Sequence, residues 1–463
     1  MTNLPIEFEN RMKRSLGDEY EAFLEAFEKN DYKALRINSL KISKEDFLKL
    51  NIWNITEENR VEWCEDGFYF DTQDTDYSPG KHPYHWAGLY YIQEPSAMSP
   101  VEYLDVKPGD VVLDLCAAPG GKSTQIAVKL KGEGMLVSNE PVAARAGILS
   151  ENIERLGIAN AIVVSELPER LSDKLGQIFD RILVDAPCSG EGMFRKNSEA
   201  IDEWSEDNVL MCAKRQQDIL DEALKMLKPG GRLVYSTCTF SENENEKNAE
   251  YVTDNFPDMK LVFSRRLWPH KDRGEGHFFA VFDKNTVSGA GDDYEINDSN
   301  GRHSSKNGHN KKDNSRKNNI GVDKKMLSDW YGFKSSLMTE AGLKKLNEEG
   351  KRYLLFKDEL YLIPDNMPAL DGIKVLRSGL HLGTLKKGRF EPSFSLALYL
   401  NPEDCINNVN LSFEETLKYR KGETLQKEGN KGWNLLNLDG YSVGWGKVSD
   451  GIVKNHYPKG LRK

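Results

Sequence analysis

Apolar residues recur at three- and four-residue spacing along the opening segment: Phe8, Met12, Leu16, Tyr20, Phe23, Leu24 and Phe27. That period predicts helix with one face turned to a core. Ala34-Leu-Arg-Ile-Asn38 alternates instead. It predicts a short strand with Arg36 and Asn38 on the face opposite Leu35 and Ile37. From about residue 100 to 285, apolar runs alternate with helical stretches. The runs are Val111–Leu115, Met135–Val137, Ala161–Val164, Ile182–Val184, Leu233–Tyr235 and Phe278–Phe282, and the helices include Arg145–Leu156 and Asp207–Leu227. Apolar strands alternating with helices predict an α/β domain with a doubly wound, mostly parallel sheet.

Residues 286–320 hold almost nothing to bury and are dominated by Gly, Ser, Asn, Asp and Lys, which predicts a flexible linker. Residues 321–375 read as a helix followed by the strands Tyr353-Leu-Leu-Phe and Leu360-Tyr-Leu-Ile, a small intermediate α/β unit. Residues 376–463 carry short strand runs with many glycines, a small β-rich module. There is no internal repeat.

The chain has 463 residues, 38% hydrophobic and 29% charged, enough for two to four ordinary domains. No run reaches the ~18 apolar residues a membrane span needs. The acidic N-terminus lacks the features of a signal peptide, so a cytoplasmic location is expected, with no membrane contact and no obligate protein partner. Net charge is −10, yet from Lys374 to Lys463 there are 15 Lys/Arg against 9 Asp/Glu, and Ile452–Lys463 contains no acid. A basic segment in an acidic protein is either a solubilising surface or one that meets phosphates. The six cysteines form no C-x-x-C pair, and nothing completes a metal site beside His82 and His85; no metal is expected.

Val111-Val-Leu-Asp-Leu-Cys-Ala-Ala-Pro-Gly-Gly-Lys-Ser-Thr124 sets Asp114 at a strand end, followed by a glycine turn into a helix. Ligands of open α/β sheets sit at this edge, where glycines admit close approach to the backbone. Glu140 follows Gly121 by 19 residues and closes the next strand, where an acid commonly accepts from ribose hydroxyls. Loop and acid together predict a ligand carrying adenosine. A nucleotide-hydrolase loop would need glycine where Cys116 stands, and the dinucleotide pattern G-x-G-x-x-G is absent. Asp185-Ala-Pro-Cys188 and Ser236-Thr-Cys238 follow two further strands. Both cysteines should therefore emerge at the same edge, with an acid nearby to handle protons.

Asp114–Ser123, Asp185–Lys196 and Tyr235–Glu244 resemble the motifs of the Sun/nucleolar-protein family of RNA cytosine-5 methyltransferases. Leu35-Arg-Ile-Asn and Gln93-Glu-Pro-Ser-Ala-Met extend the likeness. Gly440-Tyr-Ser-Val-Gly-Trp-Gly-Lys and Lys454-Asn-His-Tyr-Pro-Lys-Gly-Leu-Arg are similar to the PUA-like RNA-binding tail of bacterial RsmF-type 16S rRNA methyltransferases. The resemblance implies a Rossmann-like class I methyltransferase domain at 78–285. An N-terminal RNA-recognition region would occupy 1–77 and a PUA-like RNA-binding domain 376–463. S-adenosyl-L-methionine is the implied cofactor, and RNA, specifically 16S rRNA or the small ribosomal subunit, the implied partner. Cys116, Ala117, Ala118, Pro119, Gly120, Gly121 and Lys122 would contact the cofactor, mainly through backbone. Glu140 would hold its ribose, and Asp185 would lie between cofactor and base. Cys238 would be the nucleophile and Cys188 would assist product release. Where many members carry Asp toward the adenine, this chain has Ser165-Glu166, with Glu166 expected as the substitute.

The chemistry gives these groups a purpose. Carbon 5 of cytosine is a poor nucleophile until a thiolate adds at carbon 6. Protonation of the ring nitrogen would help, a task expected of Asp185, and the base must leave its stack to reach the thiol. Two other readings are a catalytically dead RNA-binding protein and a DNA cytosine-5 methyltransferase, in which the Pro-Cys thiol attacks. The first would lack one motif cysteine, and the Thr-Cys motif with the PUA-like tail argues against the second.

Overall fold

The computed structural model describes residues 4–29, 31–71, 77–286, 326–364 and 366–462. All of the expected linker except Thr286 lies outside them. The opening pattern forms two helices, Ile6–Leu16 and Tyr20–Glu28, separated by a 3-10 turn that starts at Gly17. Their apolar faces bury Phe8, Met12, Tyr20 and Phe23 against Phe194, Trp204 and Phe240. The first sheet follows, antiparallel in the order β2-β1-β3, from β1 (Ala34–Ile37), β2 (Gly67–Tyr69) and β3 (Tyr90–Ile92).

The six apolar runs become strands of one large sheet: β4 (Val111–Asp114), β5 (Met135–Asn139), β6 (Ala161–Val164), β7 (Phe179–Asp185), β8 (Leu227–Thr237) and β10 (His277–Lys284). The edge strand β9 (Met259–Leu267) was not foreseen. It has one neighbour and leaves Leu261, Val262 and Phe263 exposed, so it shows neither the alternation nor the burial that marks a strand. β4 to β8 pair in parallel and β10 runs antiparallel between β8 and β9. Strand order reverses between β4 and β7, which opens a crevice above their C-terminal ends. Helices Gly121–Leu130, Ala143–Arg155 and Glu206–Met226 lie among those covering the faces. Ser205 caps the last by accepting from Asn208 N–H at 3.1 Å.

Beyond 326, the two expected strands β11 (Lys351–Phe356) and β12 (Glu359–Pro364) form an antiparallel hairpin. The chain then returns to the large sheet: β13 (Val375–Ser378) pairs antiparallel with β6. β14 (Leu380–Lys386) and β15 (Arg389–Pro392) complete the sheet begun by β11 and β12. A last sheet runs β16-β18-β19-β20-β17, from β16 (Asn408–Leu411), β17 (Leu425–Gln426), β18 (Gly432–Leu438), β19 (Tyr441–Ser449) and β20 (Ile452–Asn455). Among the described residues no helix is long and apolar enough to cross a membrane.

The C-terminal part is not a detachable module. Phe47, Trp53, Leu89 and Tyr90 share one apolar cluster with Val409, Leu436, Leu438 and Tyr457. Arg420 stacks on the Trp86 ring at 3.7 Å. Arg36 and Asn38 do take the face opposite Leu35 and Ile37, but that face is buried too. Leu436→Ala should therefore cost about 2–5 kcal/mol of stability, as for other core truncations. Denaturant unfolding would measure this. Amide exchange should also quicken in β1, across the shared cluster, and unchanged protection there would show the two regions to be uncoupled.

Candidate active site

The ends of β4 to β8 carry the expected residues to one edge. Gly120 turns the chain into its helix at φ +113°, and a Cβ there would meet Leu149 at 3.1 Å, so glycine is required. Asp114 is buried beneath the loop, its Oδ2 2.6 Å from Ser123 Oγ, and burial pushes its pKa up to about 7. Arg36 grips the same loop. Its guanidinium donates to Gly121 O at 3.2 Å, Thr124 Oγ1 at 2.7 Å and Gln93 Oε1 at 3.1 Å.

Glu140 is buried at the end of β5. Its Oε1 accepts Val142 N–H at 2.9 Å, while Oε2 has Arg145 at 3.4 Å. Asn139, which sequence reasoning missed, clips two strand ends together: it donates to Leu115 O and Glu166 O and accepts from Glu166 N–H, all within 3.1 Å. Glu166 differs from expectation. Its Oε1 accepts Lys374 N–H at 2.7 Å and Oε2 lies 3.5 Å from Arg170, so the carboxylate is engaged with the chain leading into β13. Beside these acids, Val142 and Leu167 are 52% and 62% exposed. Two open apolar side chains flanking a crevice suit a flat ring, and nothing in the periodicity marked them.

Asp185 ends β7. Its Oδ2 accepts from Lys122 Nζ at 2.7 Å and its Oδ1 from Ser236 Oγ at 2.8 Å, with His277 Nε2 at 3.6 Å. Burial by itself would raise its pKa, but Lys122 and then His277 hold it well below the usual carboxylate range. The resting Asp185 is thus an acceptor, not the proton donor that sequence reasoning expected. His277 opens β10, and the unbroken apolar run that follows it gives no sign of this contact. Burial lowers its pKa, which favours the neutral ring.

Cys188 and Cys238 meet with their Sγ atoms 3.3 Å apart, both partly open to solvent. The hydrogen bond to Cys238 and burial push the Cys188 thiol well up. The spacing is set from behind by Glu244, which is fully buried. Its carboxylate accepts from Ser189 N–H at 3.0 Å, from the Ser189 hydroxyl, and from Gln216 Nε2 at 2.9 Å. Gln216 Nε2 also donates to Pro187 O, and Ser189 Oγ sits 2.9 Å from Thr239 Oγ1. Asn245 completes the clamp by donating to Thr239 O at 2.9 Å. The loop after Cys188 and the loop after Cys238 are therefore held by one short segment. On the other side, Glu191 accepts Phe240 N–H and pairs with Arg11 of the N-terminal helix.

Comparison with known proteins agrees along the chain. Residues 4–95 match the model for the N-terminal domain of 16S rRNA methyltransferase RsmF and 101–283 that for 16S rRNA methyltransferase RsmB/F. The RsmF first C-terminal domain matches 337–400, and its PUA domain 406–463. The ribosomal RNA small subunit methyltransferase F of Vibrio parahaemolyticus is 32% identical over 95% of this chain and 93% of its own. That of Vibrio campbellii is 30% identical over the same shares. The chain belongs to the RsmF family of 16S rRNA methyltransferases. It is an S-adenosylmethionine-dependent rRNA methyltransferase. A methyltransferase homologue from Pyrococcus horikoshii superposes with TM-score 0.55 at 32% identity, over 61% of this chain and 96% of that one. NSun6 from the same organism, solved with SFG, shares the fold with TM-score 0.54 at 23% identity, over 61% of this chain and 99% of its own.

Two outcomes follow for this RsmF-family site. Glu140→Ala should weaken S-adenosylmethionine binding by about 1–3 kcal/mol, the cost of leaving polar partners unpaired; unchanged affinity by calorimetry would move the cofactor elsewhere. Glu244→Gln puts an amide N–H₂ where donors already converge. It should lower kcat roughly tenfold or more by loosening the thiol spacing, with the affinity for cofactor retained. Wild-type turnover in that variant would show that the clamp is dispensable.

Proposed function

We propose that this enzyme methylates carbon 5 of cytosine in 16S rRNA through a covalent bond between Cys238 and the base. The observation that carries the reading is the pair of thiols 3.3 Å apart, beside Asp185 and the glycine loop. The crevice suits the cofactor. Backbone from Cys116 to Lys122 would line it, Glu140 would accept from ribose hydroxyls, and the exposed Val142 and Leu167 would flank the adenine. S-adenosylmethionine supplies an electrophilic methyl group when bound.

The Cys238 thiolate adds to carbon 6, and the displaced electron pair makes carbon 5 nucleophilic enough to take the methyl. Negative charge that develops on the ring is met by Lys122, and Asp185 orients the base by accepting from its exocyclic amine. The proton on carbon 5 must then leave and the carbon–sulfur bond break, returning the thiolate. That proton passes to a water, which the Cys188 thiol, 3.3 Å from Cys238, is placed to orient by hydrogen bonding. The basic segment 376–463 is read as a surface for RNA phosphates.

Cys238→Ala should abolish methyl transfer to 16S rRNA while S-adenosylmethionine still binds. Cys188→Ala should accumulate a protein–RNA adduct visible as a heavier band on a denaturing gel, and the double variant should show none. An adduct that forms only when Cys238 is replaced would reverse the two roles.

A further inference from the structure

The final sheet is covered unevenly. On one face, Leu435 and Trp445 are cross-strand partners and both are buried, with Trp445 Nε1 donating to Ser393 O at 2.8 Å. Two residues along each strand, that face opens. Trp433 on β18 lies directly opposite Lys447 on β19, and Lys447 lies opposite Lys454 on β20. Direct cross-strand partners share a face, so the three form a row across the middle of the sheet. Both lysines are exposed and Trp433 is half-buried. The Lys447 ammonium sits 5.6 Å from the Trp433 ring centre, and the exposed His456 ring packs against the same tryptophan at 4.4 Å.

This arrangement is costly for the protein alone. Like charges directly opposite each other destabilise a sheet, and among the described residues neither Lys447 nor Lys454 has a carboxylate within ion-pair distance. The acid that acts on His456 is Glu391, already paired with Lys386 and Arg389, against the cations Lys447, Arg462 and Lys454. A bound polyanion would relieve the repulsion, and the Trp433 indole, with the His456 ring inclined at 62° beside it, offers an aromatic face.

We propose that Trp433, His456, Lys447 and Lys454 form a platform for a single-stranded stretch of the RNA substrate, one base stacking on the Trp433 indole beside His456 and its flanking phosphates meeting the two lysines. A duplex keeps its bases stacked on one another and cannot use the ring. An acidic peptide would use the lysines and leave the ring idle. The proposal rests on RNA being the substrate and adds where it is held.

The test uses the full-length chain and a fluorescent single-stranded RNA dodecamer, beside a duplex of equal length and a poly-glutamate peptide. Lys447→Gln with Lys454→Gln should lower the magnitude of the slope of log K against log salt by about 1.4, from two phosphate contacts on a single strand at ~0.7 each. Trp433→Ala should weaken single-strand binding roughly tenfold with that slope unchanged, while Trp433→Phe retains most of the affinity. A tryptophan that only supported the sheet would instead lower the thermal midpoint and move slope and affinity together. Three outcomes overturn the platform: an unchanged slope in the lysine variant, equal binding of duplex and single strand, or poly-glutamate binding as tightly as RNA. If the wild-type protein fails to bind RNA at all, the substrate reading itself falls; if it binds and the variants bind equally, only the platform does.

Discussion

A buried carboxylate on the segment after Cys238, hydrogen-bonded to the loop after Cys188, is the constraint on which the thiol pair depends. Among the described residues no cation lies beside Glu244; neutral donors from Ser189 and Gln216 satisfy it instead. Burial raises its pKa, which Ser189 and Gln216 partly offset. A charge in that position is tolerated only while its hydrogen bonds stay intact. Loop movement would break them, so the two strand-end loops are fixed more firmly than loops at a sheet edge usually are. The hydrogen bond to Cys238 and burial raise the Cys188 pKa, and the nearby Glu244 carboxylate adds to this.

The surrounding units are tied to this edge by polar contacts that reach across the fold. Arg36 is sealed in the interior with neutral acceptors, one of them the carbonyl of Gly121 in the glycine loop. Arg11 reaches Glu191, which in turn holds the backbone two residues after Cys238. β13 closes the far edge of the large sheet, and Lys374 just before it engages Glu166. The N-terminal region, expected to recognise RNA, thus also braces the strand-end site.

Repetition was what made much of this legible. Strands buried on both faces must be apolar throughout, so the central strands could be read as runs. Glycine turns and strand-end cysteines sit at fixed offsets from those runs, so Cys116 to Lys122, Glu140, Asp185, Cys188 and Cys238 could be placed at one edge before any coordinates. Edge strands escaped: β9 is half in water and β13 is four residues long, and neither imposes a pattern.

What the sequence determined by itself was therefore the local chemistry, because a turn, a strand end and a nucleophile are properties of neighbouring residues. Tertiary structure alone decided which group is charged and what each acid serves. Asp185 is an acceptor because Lys122, 63 residues earlier, lies 2.7 Å away. Glu166 is spent on a backbone N–H 208 residues later. Glu244 became a clamp only when Ser189 and Gln216 arrived. Electrostatics and hydrogen bonding act through space over a few ångströms, and separation along the chain carries no record of which distant residues will close that distance.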